Sequence, residues 1–197
     1  MLKRISAALA GLLVTGAVAY AANLPLITGA QDPSQLNATI NTLIQSINSG
    51  VGGLLNAQTA AVATGTGTTE QTLQSYTTPP GIIGAAGQTL RITCWGVTGA
   101  NANNKTMKLY FGASSIATPT AATNAKGWRL VMNVMNRTAT TQGIDSWGLV
   151  DTTAVTPANT DGAETLTAGV LIKCTGTDGT SSASDITASG MTVELVK

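Results

Sequence analysis

The 197-residue sequence contains no histidine, which removes the commonest general base and the commonest metal ligand of proteins. Charged residues are also scarce, because ten Lys and Arg and nine Asp and Glu leave a formal net charge of +1. No basic cluster is present, so the electrostatic footprint of a nucleic-acid-binding protein is missing. We therefore expect no nucleic-acid partner.

Cysteine is almost as rare, with Cys94 in RITCWGV and Cys174 in VLIKCTG. The long separation between them does not match the paired short spacings of a zinc site. Two interpretations stay open. The pair forms a disulfide if its strands are neighbours in an oxidising compartment, or both residues are buried thiols that act as small apolar side chains.

The few carboxylates fall in or beside predicted turns. Asp161 and Glu164 belong to NTDGAET, an ordinary turn composition, whereas a glycosidase needs two carboxyls facing each other across a sugar. The segment GTDGTSSASD could hold a hard cation through Asp178 and Asp185, but it lacks the dense oxygen ligands of calcium loops. We predict no catalytic residues, no metal and no cofactor.

Residues 1–22 have the features of an export signal. Lys3 and Arg4 precede the apolar run ISAALAGLLVTGAVAYAA, and Ala19-Tyr20-Ala21 matches a small-x-small cleavage site. The run is at the short end of what spans a bilayer. The segment is either a cleaved signal peptide or a retained hydrophobic segment, buried in a particle or used at a membrane.

Residues 23–55 are predicted to form a linker followed by an oligomerising helix. Asp32 is a good N-cap, Pro33 occupies the first helical position, and Gln35 completes a capping box. Four apolar residues then share one stripe with polar flanks: Leu36, Ile40, Leu43 and Ile47. A narrow seam of this kind is typical of a coiled coil, and isoleucine at the seam favours assemblies above dimers. The alternative is that the stripe docks on the β domain of its own chain.

Residues 56–70 are small, polar and interrupted by glycine, and are predicted to be a flexible linker that can include a short strand around Ala60 to Ala63. Residues 71–197 are predicted to form one β domain of seven or eight strands. QTLRITCWGVT alternates Leu90, Ile92 and Cys94 with polar residues, TMKLYFGA alternates Met107, Leu109 and Phe111, and GWRLVMNVMNRT alternates from Trp128 to Val134 before an expected shift of phase after Met135.

Strands separated by Gly, Asn, Asp and Pro turns, with no helix between them, predict an antiparallel sandwich. The expected fold class is therefore mainly β, with a C-terminal jelly-roll-like β-sandwich preceded by a short helix and a linker. A jelly roll is preferred to an immunoglobulin-like fold, because Trp95 directly follows Cys94.

Three motifs carry a resemblance: R-I-T-x-W-G, A-N-x-N-N-K-T-x-K-L-Y-F-G and A-S-D-I-T-x-x-G-M-T-V-E. Together with PLITGAQDPSQLNATINTLI, they resemble a β domain of structural proteins from tailed bacteriophages. The resemblance implies a virion component, such as a homotrimeric fibre, spike or tail or capsid appendage with a jelly-roll head, that contacts other virion proteins. It implies no catalytic residues. The signal-like N-terminus favours an alternative, an exported bacterial surface or periplasmic binding module.

The tryptophans offer one candidate binding surface. Trp95, Trp128 and Trp147 either pack in the core and between subunits or present aromatic planes to the sugar rings of a host surface polysaccharide. Residues 1–22 add the host inner membrane as a second candidate partner. The expected location is the virion, and the alternative location is the periplasm or the exterior of a bacterium.

Overall fold

A computed structural model describes residues 53–196 of the chain. Every regular element in this range is a β-strand, so the prediction of a mainly β protein is confirmed. Within the same range, no helix is long and apolar enough to cross a membrane. The predicted helix with its stripe, and the signal-like segment, lie outside the described residues.

The strands in chain order are β1 Gly53–Gln58, β2 Val62–Ala63, β3 Gln71–Thr77, β4 Thr89–Thr98, β5 Asn104–Phe111, β6 Ser114–Ala117, β7 Ala121–Ala122, β8 Gly127–Thr138, β9 Thr141–Val150, β10 Thr153–Gly162, β11 Leu171–Asp178 and β12 Ile186–Val196. They form two antiparallel sheets. The seven-stranded sheet has the order β1-β12-β4-β8-β9-β10, with β2 also paired to β12. The five-stranded sheet has the order β3-β11-β5-β6, with β7 also paired to β5.

Four strand pairs are nested along the chain. The first strand pairs with the last, β1 with β12, and inside this pair lie β3 with β11, β4 with β8 and β5 with β6. Successive pairs alternate between the two sheets. A single long antiparallel hairpin wound across both sheets would give this order, with β9 and β10 added as a meander at the edge of the seven-stranded sheet.

The core lies between the sheets and follows the period of two seen in the sequence. The predicted alternation is confirmed on β4, where Leu90, Ile92 and Cys94 are fully buried, and on β5, where Met107, Leu109 and Phe111 are buried. Residues between them face away from the core. Each large apolar side chain buried in this way contributes about 1.5–3 kcal/mol relative to an exposed one.

Two strands of the seven-stranded sheet precede residue 71: β1 spans the boundary between the predicted segments 23–55 and 56–70, and β2 lies within the second, where a short strand was expected. The β1 register shifts around Leu55, which packs against the core. Thr64 fixes the segment: its N–H donates to Ile186 O at 2.9 Å, its Oγ1 accepts from Ile186 N at 3.2 Å, and its carbonyl accepts from Ser184 N at 2.7 Å. These backbone bonds need no apolar period in the sequence. The described β structure therefore begins at Gly53 and not at residue 71.

A disulfide joins the two sheets. Cys94 on β4 is bonded to Cys174 on β11, with their Cα atoms 6.5 Å apart. Both side chains are fully buried. The structure thus contains the bonded pair and not two free thiols.

Candidate functional site

Exposed apolar side chains concentrate on the outer face of the seven-stranded sheet. Among residues 53–196, the large hydrophobic side chains that are exposed on this face are Leu54, Val97, Met135, Trp147 and Leu149. The outer face of the five-stranded sheet presents one such residue, Leu171, together with Lys108, Tyr110 and Lys173. Concentrated exposed apolar surface marks an interaction site. The outer face of the seven-stranded sheet is therefore the candidate site.

The register of β4, β8 and β9 fixes how side chains meet on this face, because directly opposed residues of antiparallel strands share a face. Trp147 lies opposite Val131, and Val131 lies opposite Thr93. Arg129 lies opposite Trp95. Arg129 therefore has one indole directly across and a second, Trp147, on the diagonal, at a spacing of about 7–8 Å that long side chains can bridge.

These residues surround a shallow depression with a volume of about 380 Å³. Its lining consists of Arg91, Thr93, Arg129, Val131, Asn133 and Trp147, and we call it the Arg–Trp depression. Val131 faces outward but is only 5% exposed, because longer side chains stand beside it. The volume lies within the range of about 300–1,000 Å³ that is usual for small-molecule sites.

The two guanidiniums of the depression have no carboxylate partner among the described residues. Among residues 53–196, the ion pairs are Lys108–Glu70, Lys126–Asp151 and Arg137–Asp161, and none of them includes a residue of the depression. Arg91 Nε donates to Asn133 Oδ1 at 3.3 Å, and Asn133 Nδ2 donates to Asp145 Oδ2 at 3.3 Å. Glu194 lies opposite Arg91 in the ladder but forms no ion pair with it. Arg91 and Arg129 therefore retain most of their donors for a ligand.

The three candidate tryptophans occupy different environments. Trp147 is 39% exposed, and Trp95 is half-buried on the same face, where its ring covers Gly190. Trp128 is only 3% exposed and lies in the core against Gly96, so it cannot contact a glycan. The structure thus brings two of the three indoles to one face and removes the third from the candidate set.

Sequence reasoning missed the polar members of the depression, Arg91, Arg129 and Asn133. A signal was available, because Arg91 and Trp95 hold outward positions of one alternating segment, and Arg129 and Asn133 hold outward positions of another. What the sequence could not supply was the pairing of those two segments. Only the β4–β8 register places Arg129 beside Trp95.

A second polar cluster is buried at the end of the domain where β4 leads into β5. Lys105 is 1% exposed, and its Nζ donates to Asn101 Oδ1 at 2.7 Å, Thr123 O at 2.9 Å, Asn103 O at 3.0 Å and Asn101 O at 3.3 Å. Asp185 accepts from the side-chain amides of Asn101 and Asn103. Four oxygen acceptors around one ammonium satisfy a buried charge that would otherwise be costly.

The pKa values of the two acids of this cluster are shifted in opposite directions. Burial raises the pKa of Asp185, but the amide donors of Asn103 and Asn101 and the Lys105 charge outweigh it, so the pKa lies below its ordinary value. Burial and the Asp185 charge raise the pKa of Asp178 above its ordinary value, against the opposing effects of the Thr64 side chain and of Lys105. In the described part of the chain, the Thr64 side chain is near enough to affect this pKa, but no hydrogen bond of ordinary geometry reaches either carboxylate oxygen of Asp178.

The cluster of Lys105, Asp178 and Asp185 includes the two acids that the sequence offered as cation ligands. Here the Lys105 ammonium supplies the positive charge beside them, and Lys105 pairs with Asp178 in the β5–β11 ladder. Within residues 53–196, no group of three His, Cys, Asp or Glu side chains is placed to hold a metal. The arrangement fits a structural role at this end of the domain.

Comparison of the chain with protein-family models, with curated proteins and with solved structures finds no match.

Proposed function

We propose that this protein is a structural, non-catalytic component of a bacteriophage virion, a homotrimeric fibre, spike or tail or capsid appendage. Its β domain would be a jelly-roll head, and the residues Leu36, Ile40, Leu43 and Ile47 would hold the subunits together. Other virion proteins would be its partners at the particle. The nested strand order is the observation that carries this proposal.

The strand order supports a jelly-roll head. A jelly roll consists of eight antiparallel strands in two sheets built from Greek keys. The pairs β1:β12, β3:β11, β4:β8 and β5:β6 supply eight such strands, and they alternate between the sheets. β9 and β10 would then be an insertion that widens one sheet. The phage proteins that the three sequence motifs resemble carry heads of this type.

The buried disulfide supports a location outside a reducing cytoplasm, since such bonds persist on virion and cell surfaces and in the periplasm. This observation also favours the alternative, an exported surface or periplasmic binding module from which residues 1–22 have been removed. The two proposals differ in two respects. The virion proposal places the protein in a phage particle with residues 1–22 retained, and the alternative places it outside particles with residues 1–22 removed.

Two measurements test the proposal. Mass spectrometry of purified phage particles identifies whether the protein is present and where its chain begins, and light scattering of the purified protein gives its subunit number. We expect a trimer whose residues 1–22 are retained. A monomer that begins near Ala22 and is absent from particles would reject the virion proposal in favour of the exported module.

A pair of variants tests the assembly stripe. Leu43→Asp places a charge on the stripe and should reduce the measured mass to that of a monomer, because a buried unpaired charge is strongly unfavourable. Thr42→Asp places the same charge on a polar flank of the same segment and should leave the trimer intact. Equal masses for the two variants would contradict assembly through this stripe.

A further inference from the structure

We propose that the Arg–Trp depression binds a carboxylate-bearing polysaccharide. The proposal deepens the function proposed above, because it names the chemical class of host surface polymer that the head would contact. It rests on the arrangement of Arg91, Arg129, Asn133 and Trp147 on the outer face of the seven-stranded sheet.

The depression combines the two contacts that recognition of an acidic sugar needs. Trp147 exposes part of its indole beside the cavity, and an aromatic plane stacks on the apolar face of a sugar ring. Arg129 and Arg91 present planar guanidiniums, which match a carboxylate through two parallel hydrogen bonds. Asn133 and Thr93 add polar groups that can bond hydroxyls.

Strands hold these groups in fixed positions. Arg91 and Arg129 lie on neighbouring strands and flank the opposed pair Thr93 and Val131, which forms the floor between them. A site on paired strands of a sheet needs little ordering when a ligand binds, so less affinity is lost to entropy. An extended polymer lying across β4, β8 and β9 would therefore meet both guanidiniums and the indole.

Local charge favours an anionic ligand. The chain as a whole is nearly neutral, yet Arg91 and Arg129 form no ion pair within residues 53–196. The neighbouring Asp145 already accepts a hydrogen bond from Asn133. Glu194 is the remaining acid of this face near Arg91, and it lies on the side of β4 away from β8. What favours a carboxylate ligand is therefore the pair of guanidiniums that lack an ion-pair partner, while Asp145 and Glu194 lie on the outer neighbours β9 and β12.

A second copy of this chain is the competing occupant, since Val97, Met135 and Leu149 are exposed around the depression. Seating another subunit there would desolvate two guanidiniums. Burial of a charge is offset only when good partners are supplied. The acids that the same face of a second subunit could offer, Asp145 and Glu194, already lie beside Asn133 and Arg91 of their own subunit. An acidic ligand satisfies both charges, so the observations favour it.

Titration calorimetry on the full chain tests the proposal with an oligogalacturonate as the acidic probe and a maltodextrin of equal length as the neutral probe. We expect the oligogalacturonate to bind and the maltodextrin to bind roughly tenfold more weakly or worse. Arg129→Gln and Trp147→Ala should each weaken oligogalacturonate binding by roughly tenfold or more. Arg129→Lys keeps the charge but loses the planar fork, and should give an intermediate affinity.

Lys173→Gln is the matched control. It removes one positive charge from the outer face of the other sheet, where Lys173 Nζ lies 4.4 Å from the centre of the Tyr110 ring. This variant should bind the oligogalacturonate like the unaltered protein. Equal weakening by Lys173→Gln and Arg129→Gln would show non-specific attraction to positive charge, and absence of binding at millimolar oligogalacturonate would overturn the proposal.

Light scattering of the same variants without glycan tests whether a second copy of this chain occupies the depression. If Trp147→Ala or Arg129→Gln lowers the subunit number, the face is an interface between copies and the glycan proposal fails. These results are independent of the particle mass spectrometry, so loss of glycan binding leaves the virion assignment standing. A protein absent from particles that still binds the oligogalacturonate would reject only that assignment.

Discussion

The substitution Lys105→Met removes the positive charge from the buried cluster while keeping a side chain of similar length. Lys105 is 1% exposed, and its ammonium bonds to four oxygens, all from Asn101, Asn103 and Thr123. The variant removes this donor from all four acceptors in a site that water barely reaches, and among the described residues only Asn101 Oδ1 keeps another, the Asn103 N–H at 3.0 Å. It also removes the cation that lowers the pKa of Asp185 and of Asp178.

Removing one partner from a buried charged group typically costs about 3–5 kcal/mol, because the remaining charges lose their compensation. For a domain of this size, 1 kcal/mol lowers the melting temperature by about 2–4 °C. We therefore expect Lys105→Met to lower the melting temperature by roughly 6–20 °C. Thermal unfolding followed by circular dichroism at neutral pH measures the shift.

Lys173→Met is the control for Lys105→Met, since it removes an ammonium that contacts only the Tyr110 ring on the outer face. Surface changes of this kind usually stay within about 0.5 kcal/mol. The double variant Lys105→Met with Asp178→Asn should recover part of the loss, because it removes a carboxylate that has no hydrogen-bond partner in the described residues. Similar melting temperatures for Lys105→Met and Lys173→Met would refute this account of the buried cluster.

Three further predictions concern stability. Replacing Cys94 and Cys174 by Ala should cost about 4.5 kcal/mol in denaturant unfolding, given their separation of 80 residues; an unchanged midpoint would contradict a structural disulfide. Asp185→Asn should flatten the acid side of the stability profile, because the lowered pKa of Asp185 gives stability that is lost as pH falls below about 4; an unchanged acid midpoint would oppose this. Gly96→Ala should melt well below Gly127→Ala, since its Cβ would clash with the Thr187 carbonyl oxygen and lie 2.8 Å from Trp128 Cζ2, whereas at Gly127 the nearest atom is 4.0 Å away; equal melting temperatures would contradict the close packing.

Local periodicity predicted the strands and the inward side of β4 and β5, because the alternation depends only on neighbours in sequence. The same rule already placed Trp128 inside, since it shares its phase with Leu130, Met132 and Val134. Treating Trp128 as a glycan contact went against that pattern. On β9, Trp147 shares its phase with Asp145 and Leu149. All three side chains are exposed, so Trp147 holds an outward position of the strand.

The shift of phase expected after Met135 begins one residue later, because the β8–β9 register shifts between Asn136 and Thr138 while Asn136 is held inward by a buried hydrogen bond. Asn136 continues the inward phase at 2% exposure, where its Nδ2 donates to Ile83 O at 2.6 Å. Lys105 shows the same effect on β5, because it precedes Met107 in the inward phase despite its charge. Polar residues at inward positions break an apolar pattern without breaking the strand, and their partners come from loops that the pattern does not describe.

Pairing between strands could not be predicted, because it depends on contacts between distant parts of the chain. Asn101 and Asp185 are separated by 84 residues but share a hydrogen bond. The nested order brings the β4–β5 and β11–β12 connections to one end of the domain. The short strand expected around Ala60 to Ala63 lies at β2, but β1 was not expected, since it joins the sheet through backbone bonds to β12 that leave little trace in side-chain composition.

The topology also separates the residues that define the fold from those that would choose a ligand. Two of the motifs behind the phage resemblance, A-N-x-N-N-K-T and A-S-D-I-T, meet in the buried cluster of Asn101, Asn103, Lys105 and Asp185. Their chemistry compensates a buried charge, so the resemblance bears on the fold and only indirectly on binding. The Arg–Trp depression lies on outward positions of β4, β8 and β9, where side chains can change without disturbing the core. A domain of this design can keep its fold while the side chains of its outer face change.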